Sequence, residues 1–183
     1  TPAWQSISPG TGAVAMKPRI LHVTAAQLSR GGVERYLLGL CQNMREDHDL
    51  ALLSGAEKQF SEQMQGQGCE TFFWNVRRAF DVSAAQKLSE VIQSYRADIV
   101  HIHDARAGLI LRLWPRRMGA KIVRTVHLSS LHYRWSRFNR LRRFAYGGME
   151  RIFHTFFTDA VVYPSLRGWE EALHHRYAPP RKA

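Results

Sequence analysis

The residues most able to do chemistry stand at His101-Ile102-His103-Asp104 and at His127, each closing a short apolar run. Two histidines two apart on a strand share one face, so a His-x-His at a strand end is a possible metal-binding pattern. Three features count against a metal here. The chain of 183 residues is short for the roughly 200 or more that a (β/α)₈ barrel needs. The motif also falls on the fourth apolar run of the chain, and no set of carboxylates and histidines follows it at metal-like spacing. The expectation is therefore no metal and no cofactor. One of the pair is read as a core histidine with its hydrogen bonds satisfied, and His103 or its neighbour Asp104 as lying at a ligand edge. His127, after Thr125-Val126, reads on pattern alone as a strand-end histidine making a structural hydrogen bond.

A second group could meet an anion. Gly31-Gly32 precedes a helical pattern, where backbone N–H groups can approach a phosphate at the positive end of a helix. Neither G-x-G-x-x-G nor G-x-x-x-x-G-K-[ST] is present, so the pair by itself equally fits plain turn geometry. Arg77-Arg78 forms a second cationic point. Glu62 and Glu70 match an E-x7-E spacing, but one falls in a short helical pattern and the other opens a strand, which makes the match accidental.

Short apolar runs that alternate with amphipathic ones must position these residues. Strands are predicted at 20–23, 50–53, 71–74, 99–102, 122–126 and 160–163. Helices are predicted at 33–44, 61–65, 84–95, around 109–113, at 137–156, and from a Ser165 cap to about 175. Such alternation builds an open parallel sheet with helices on both faces, a single Rossmann-like α/β domain. Ligands in these sheets sit beyond the carboxyl ends of the strands. That rule selects Gly31-Gly32, Arg77-Arg78, His103-Asp104, His127 and Pro164-Ser165. Residues 1–18 read as a flexible leader, 19–177 as the domain, and 178–183, with Pro179-Pro180, as a tail. Cys41 and Cys69 are too few for a disulfide framework and occupy unrelated sequence contexts, which predicts a reducing, cytoplasmic setting.

Charge is distributed unevenly. Between Ala105 and Met149 there are eleven basic residues and no acidic one, leaving 15 of each sign elsewhere, so the net charge of +11 belongs to this segment. Arg134, Arg137, Arg140 and Arg143 fall there, on or beside a helical pattern whose apolar stripe runs through Phe138, Leu141, Ala145 and Met149. A cationic face of this kind fits an anionic membrane surface, a phosphorylated acceptor or nucleic acid. No apolar run reaches the roughly 20 residues of a membrane span.

Several of these stretches occur in a specific order: Arg19-Ile-Leu-His-Val-Thr24, Gly31-Gly-Val-Glu-Arg35, Ala97-Asp-Ile-Val-His-Ile-His103, Arg124-Thr-Val-His127, Met149-Glu-Arg151 and Thr158-Asp-Ala-Val-Val-Tyr-Pro-Ser165. Together they resemble the N-terminal domain of family-4 retaining glycosyltransferases, which have two facing Rossmann-like domains. Tyr163 departs from the small apolar residue usual there. The resemblance implies the acceptor-binding half of an enzyme that moves a sugar from a nucleotide-diphosphate donor to a sugar, a lipid-linked acceptor or a cell-surface polysaccharide precursor. It implies His127 as the catalytic-side residue beside the transferring sugar, and Gly31 and Gly32 near the donor diphosphate. His103, Asp104, Arg106, Arg77 and Arg78 would line the acceptor pocket. Arg134, Arg137, Arg140 and Arg143 would rest on the inner leaflet of the cell membrane, with nucleic acid not expected as a partner. The family's donor-binding half, with its Arg/Lys pair and E-x7-E carboxylates, has no counterpart after Ser165, so this half alone is expected to be inactive. The rival readings are a non-enzymatic basic module for anionic membrane or nucleic acid, and a two-Rossmann enzyme of another kind, such as a sugar-nucleotide epimerase.

Overall fold

The strands carry side chains that alternate between two apolar layers, and this alternation sets the architecture. The computed structural model describes residues 16–25, 31–55, 57–78, 80–113, 119–127, 151–152 and 155–174. Six strands are present: β1 (Arg19–Thr24), β2 (Asp49–Ser54), β3 (Glu70–Phe73), β4 (Ile99–Ile102), β5 (Lys121–Thr125) and β6 (Ala160–Val162). The helices whose bounds lie among the described residues are α1 (Gly32–Met44), α2 (Lys58–Gly66), α3 (Val82–Tyr95), α4 (Ala105–Leu113) and α5 (Leu166–His174). The expected strands and helices recur within a few residues of their predicted limits. Most of the helix expected over 137–156 lies outside the described residues. So do residues 1–15 of the leader, the tail and the basic positions Arg134, Arg137, Arg140 and Arg143.

All strand pairs are parallel, in the order β3-β2-β1-β4-β5-β6. This is the doubly wound Rossmann order, whose direction reverses between β1 and β4. On one face Leu21, Val23, Ala51, Leu53, Val100, Ile102 and Ile122 pack against Ala84, Leu88 and Ile92 of α3 and Ala107 and Ile110 of α4. On the other, Ile20, Leu50 and Leu52 pack against Leu37 and Cys41 of α1 and Phe60 and Met64 of α2. Cys69 joins this second layer beside Cys41, so the two cysteines that look unrelated in sequence are neighbours with free thiols. The neighbouring Cys41 thiol, with burial, pushes the Cys69 thiol up.

Aspartates fix the amino ends of the strands. Asp98 accepts from the Arg19 backbone N–H at 2.8 Å, and Asp159 from that of Ile122 at 2.8 Å. Asp159 also pairs with Lys121 at 3.6 Å. At the opposite edge the Trp74 indole donates to the Thr24 carbonyl at 2.9 Å, tying the chain after β3 to the end of β1. Asp81 caps α3 by accepting from Ala84 N at 3.1 Å.

The second apolar layer gives a direct test. Leu52 is fully buried in β2, whereas Phe73 at the end of β3 is 67% exposed. Leu52→Ala is expected to cost about 2–5 kcal/mol, and Phe73→Ala within about 0.5 kcal/mol. Urea titration of both variants checks the contrast, and equal losses would contradict the layer assignment.

Candidate functional site

The alternation that buries Ile20 also places His22 and Thr24 on the α1 side of the sheet. His22 and His101 are register partners across β1 and β4, and His103 follows His101 on the same face. Thr125 and His127 continue the row from β5. A polar strip therefore crosses the carboxyl half of the sheet at the point where the strand order reverses.

The strip is joined by hydrogen bonds. His22 Nδ1 lies 3.1 Å from His103 Nε2, and His103 Nδ1 lies 3.3 Å from His127 Nε2. His101 Nε2 pairs with Thr125 Oγ1 at 2.7 Å. The rings also stack at an angle, His101 on His103 with centroids 4.3 Å apart. Tyr36, from the first half of α1, sets its ring edge-on to His127 at 4.8 Å and to His103 at 6.0 Å. His22 and His103 are buried and His127 is half-buried, so the chain of imidazoles runs from the core outward.

Burial penalises the imidazolium form of every ring. His22 is pushed down to about 3 by burial and then by the nearby His101. His101 is lowered to about 4 by burial and by His127. His103 falls well below the usual value through burial, then His101, His22 and His127. In His127 burial lowers the value while the Asp104 carboxylate opposes it.

His22, His101 and His103 bring ring nitrogens within 4.8 Å of one another, which is the reach of a three-histidine metal set. The surroundings do not favour an ion. The set holds no carboxylate, and nearby Asp104 uses one oxygen on Ala25 N at 2.6 Å and the other on Ala107 N at 2.9 Å. A dication there would be buried without a compensating charge.

The glycine turn sits beside this strip. Gly31 is the N-cap of α1, and its backbone N–H donates to Glu34 Oε2 at 2.7 Å. With no side chain at Gly31, only the Glu34 half of a capping box exists. A Cβ on Gly31 would come within 2.9 Å of the Glu34 oxygen, while one on Gly32 would meet nothing within 4 Å. A side chain on Gly31 would have to displace the end of the Glu34 side chain, whose buried carboxylate accepts from the Gly31 N–H. Arg106 is exposed on the first turn of α4. Arg77 and Arg78 are exposed in the β3–α3 loop, where Arg77 N donates to Asp81 at 3.2 Å.

The structure brings His103, Asp104, His127 and the glycine turn to one edge, near the β1–β4 switch. Arg77 and Arg78 stand on a separate loop of that edge. His101 and His103 are both buried, so His103 reaches the edge through its contact with His127 rather than by its own exposure. Sequence reasoning missed His22, Tyr36 and Glu34. His22 was legible as the one polar residue in the apolar run from Ile20 to Val23, and Glu34 as a Glu three residues after a helix-opening Gly. Tyr36 carried no comparable signal.

A groove of about 520 Å³ lies at the opposite edge, lined by Arg19, Arg45, His48, Asp49, Glu70 and Tyr95. It borders the amino ends of β1, β2 and β3, where sheets of this type do not bind their ligands.

The strand order defines a doubly wound, Rossmann-like domain, and sheets of this class take their ligands beyond the carboxyl ends of the strands, the side on which the polar seam of β1, β4 and β5 lies. The family model for glycosyltransferase family 4 matches residues 30–182, and the chain belongs to that family. No curated protein matches it in sequence. Among solved structures it is similar to a glycosyltransferase from Rickettsia africae ESF-5, with 19% identity and a TM-score of 0.67 over 91% of this chain and 41% of that one. It is also similar to Anabaena HepE in complex with UDP and glucose, with 12% identity, a TM-score of 0.63, and 86% and 41% of the two chains covered. A further structure of HepE, with UDP-glucose, gives 13% identity, a TM-score of 0.60, and 86% and 40% coverage. These likenesses show the fold. The chain spans about 41% of the length of the first two structures.

The buried imidazoles make stability depend on pH. Each folded-state value lies below the roughly 6.5 of a free histidine, so the unfolded chain takes up protons first as pH falls. Stability is whole above about pH 6.5 and declines toward pH 4, at about 1.4 kcal/mol per pH unit for each such ring. The urea midpoint should drop clearly between pH 7 and pH 5; an unchanged midpoint would show that these rings are not buried and neutral.

Proposed function

We propose that the chain is the acceptor-side half of a retaining glycosyltransferase that moves a sugar from a nucleotide-diphosphate donor to an acceptor hydroxyl. The observation that carries the reading is the convergence of His127 and the Gly31-Gly32 turn at the switch point of a family-4 sheet. In this reading His127 hydrogen-bonds the transferring sugar, and the open backbone at Gly32 approaches the donor diphosphate. The departing diphosphate must be stabilised as charge develops on it, and preorganised N–H groups at a helix start suit that task. Donor recognition rests mainly on a second domain facing this edge, so the half by itself is inactive.

The acceptor reading rests on the β3–α3 loop. Phe73, Phe80 and Val82 are exposed there beside exposed Arg77 and Arg78. A cationic and apolar lip suits an amphiphilic anion, such as a lipid-linked diphosphate or a polysaccharide precursor carried on one. Arg106 adds a cation on the first turn of α4, while Asp104, with both oxygens engaged by backbone N–H groups, holds the loop that bears His103. Binding to the inner leaflet through Arg134, Arg137, Arg140 and Arg143 belongs to the same proposal. Among the described residues no helix is long and apolar enough to cross a membrane.

The intact protein carrying this chain, supplied with a panel of UDP-, GDP- and ADP-sugars and a lipid extract, should release nucleoside diphosphate and leave the product with the donor's anomeric configuration. His127→Ala should lower kcat by about 100-fold or more. Isomerised donor without transfer, or full activity in His127→Ala, would count against the reading.

A further inference from the structure

His127 does not stand alone at the edge. It ends a chain of three imidazoles in which every internal nitrogen is engaged: His22 Nδ1 with His103 Nε2, then His103 Nδ1 with His127 Nε2. A neutral imidazole offers one N–H and one lone pair. With His103 contacted at both nitrogens, it must donate on one side and accept on the other. The whole chain therefore has only two settings, and choosing the proton position on one ring fixes all three.

In the inward setting His127 donates to His103, His103 donates to His22, and His22 is left with its N–H on Nε2. That nitrogen is buried and has no hydrogen-bond partner among the described residues. An orphaned buried N–H is among the rarest and most costly states of a polar group. In the outward setting His22 donates to His103, His103 donates to His127, and only a bare lone pair is left at His22. The free N–H is then Nδ1 of His127, at the half-buried end of the chain. The cost of the orphaned N–H at His22 selects the outward setting. Burial of His22 and His103 lowers both values and keeps the rings neutral near pH 7.

We infer that His103 is a positioning residue that holds His127 in the Nδ1–H tautomer, so that the ring presents a hydrogen-bond donor rather than a lone pair at the ligand edge. Tyr36, edge-on to His127 at 4.8 Å, limits rotation of that ring. The role in transfer rests on the function proposed above, whereas the tautomer does not. The donor so presented suits a sugar hydroxyl or ring oxygen accepting from Nδ1. His103, buried behind His127, would touch no substrate and would act only through its neighbour.

The test is ¹⁵N NMR of the histidine rings in the full chain near pH 7, which distinguishes a protonated from a bare nitrogen on each ring without any activity assay. The wild type should show His127 as Nδ1–H. His103→Leu removes both of its hydrogen bonds and should release His127 to a mixture or to the Nε2–H form. His103→Asn places an amide N–H close to the old Nδ1 position and should restore Nδ1–H. In the intact protein His103→Leu should lower kcat roughly tenfold, the scale of one lost hydrogen bond, with recovery in His103→Asn. Finding Nε2–H at His127 in the wild type, or an unaltered Nδ1–H in a folded His103→Leu, would overturn the inference. The wild-type spectrum decides the first point even if the leucine variant does not fold. Absence of transfer with an Nδ1–H spectrum would instead count against the proposed function and leave the positioning of the ring supported.

Discussion

The carboxyl half of this sheet depends on keeping imidazoles buried without charge. His22, His101 and His103 occupy positions that a doubly wound sheet would ordinarily fill with Val, Ile or Leu, and they persist there by pairing with one another, with Thr125 and with His127. Replacing one partner would leave another buried polar atom unpaired. The arrangement thus couples β1, β4 and β5 at the edge where the strand order reverses. Asp104 strengthens the same seam by bonding both the end of β1 and the start of α4. What positions the ligand edge is therefore a hydrogen-bonded polar layer set on an apolar sheet.

Nearby anionic groups are handled in a related way. Glu34 turns back onto the N–H of Gly31, and Asp104 is bound by two backbone N–H groups, so neither carboxylate is idle. The cations of the acid-free stretch are less uniform than their spacing implies. Arg124 is buried, Arg112 lies over the Phe157 ring at 4.9 Å, and Lys121 pairs with Asp159, while Arg106 is exposed. Part of the positive charge is thus spent on packing within the domain. A charge count along the chain cannot separate a guanidinium stacked on an aromatic ring from one in water.

Most of the architecture was legible because it rests on local pattern. The apolar runs at Ile20–Val23 and Ile99–Ile102 marked strands directly, and the Leu88, Val91, Ile92 and Tyr95 spacing marked a helix. The rule that ligands gather beyond carboxyl ends of strands selected His103, Asp104, His127 and Gly31-Gly32 before the strand order was known. Apart from the local contact of Glu34 with Gly31, the missed features were long-range ones. That His22 lies beside His101 follows from β1 pairing with β4, with β2 and β3 lying between them in the chain, and that Tyr36 meets His127 follows from how α1 docks. The contact between Cys41 and Cys69 is likewise a product of packing between α1 and the start of β3.

The central claim is that the ligand edge is the carboxyl side of β1, β4 and β5, served by the histidine seam. Hydrogen exchange of the intact protein, measured by mass spectrometry with and without a nucleotide sugar that it binds, tests this most directly. Within this chain, new protection should appear in peptides covering Gly31 to Leu37, His103 to Gly108 and Val126-His127. Protection confined to the groove of Arg19, Asp49, Glu70 and Tyr95 would contradict the claim, because that groove lies on the opposite edge of the sheet.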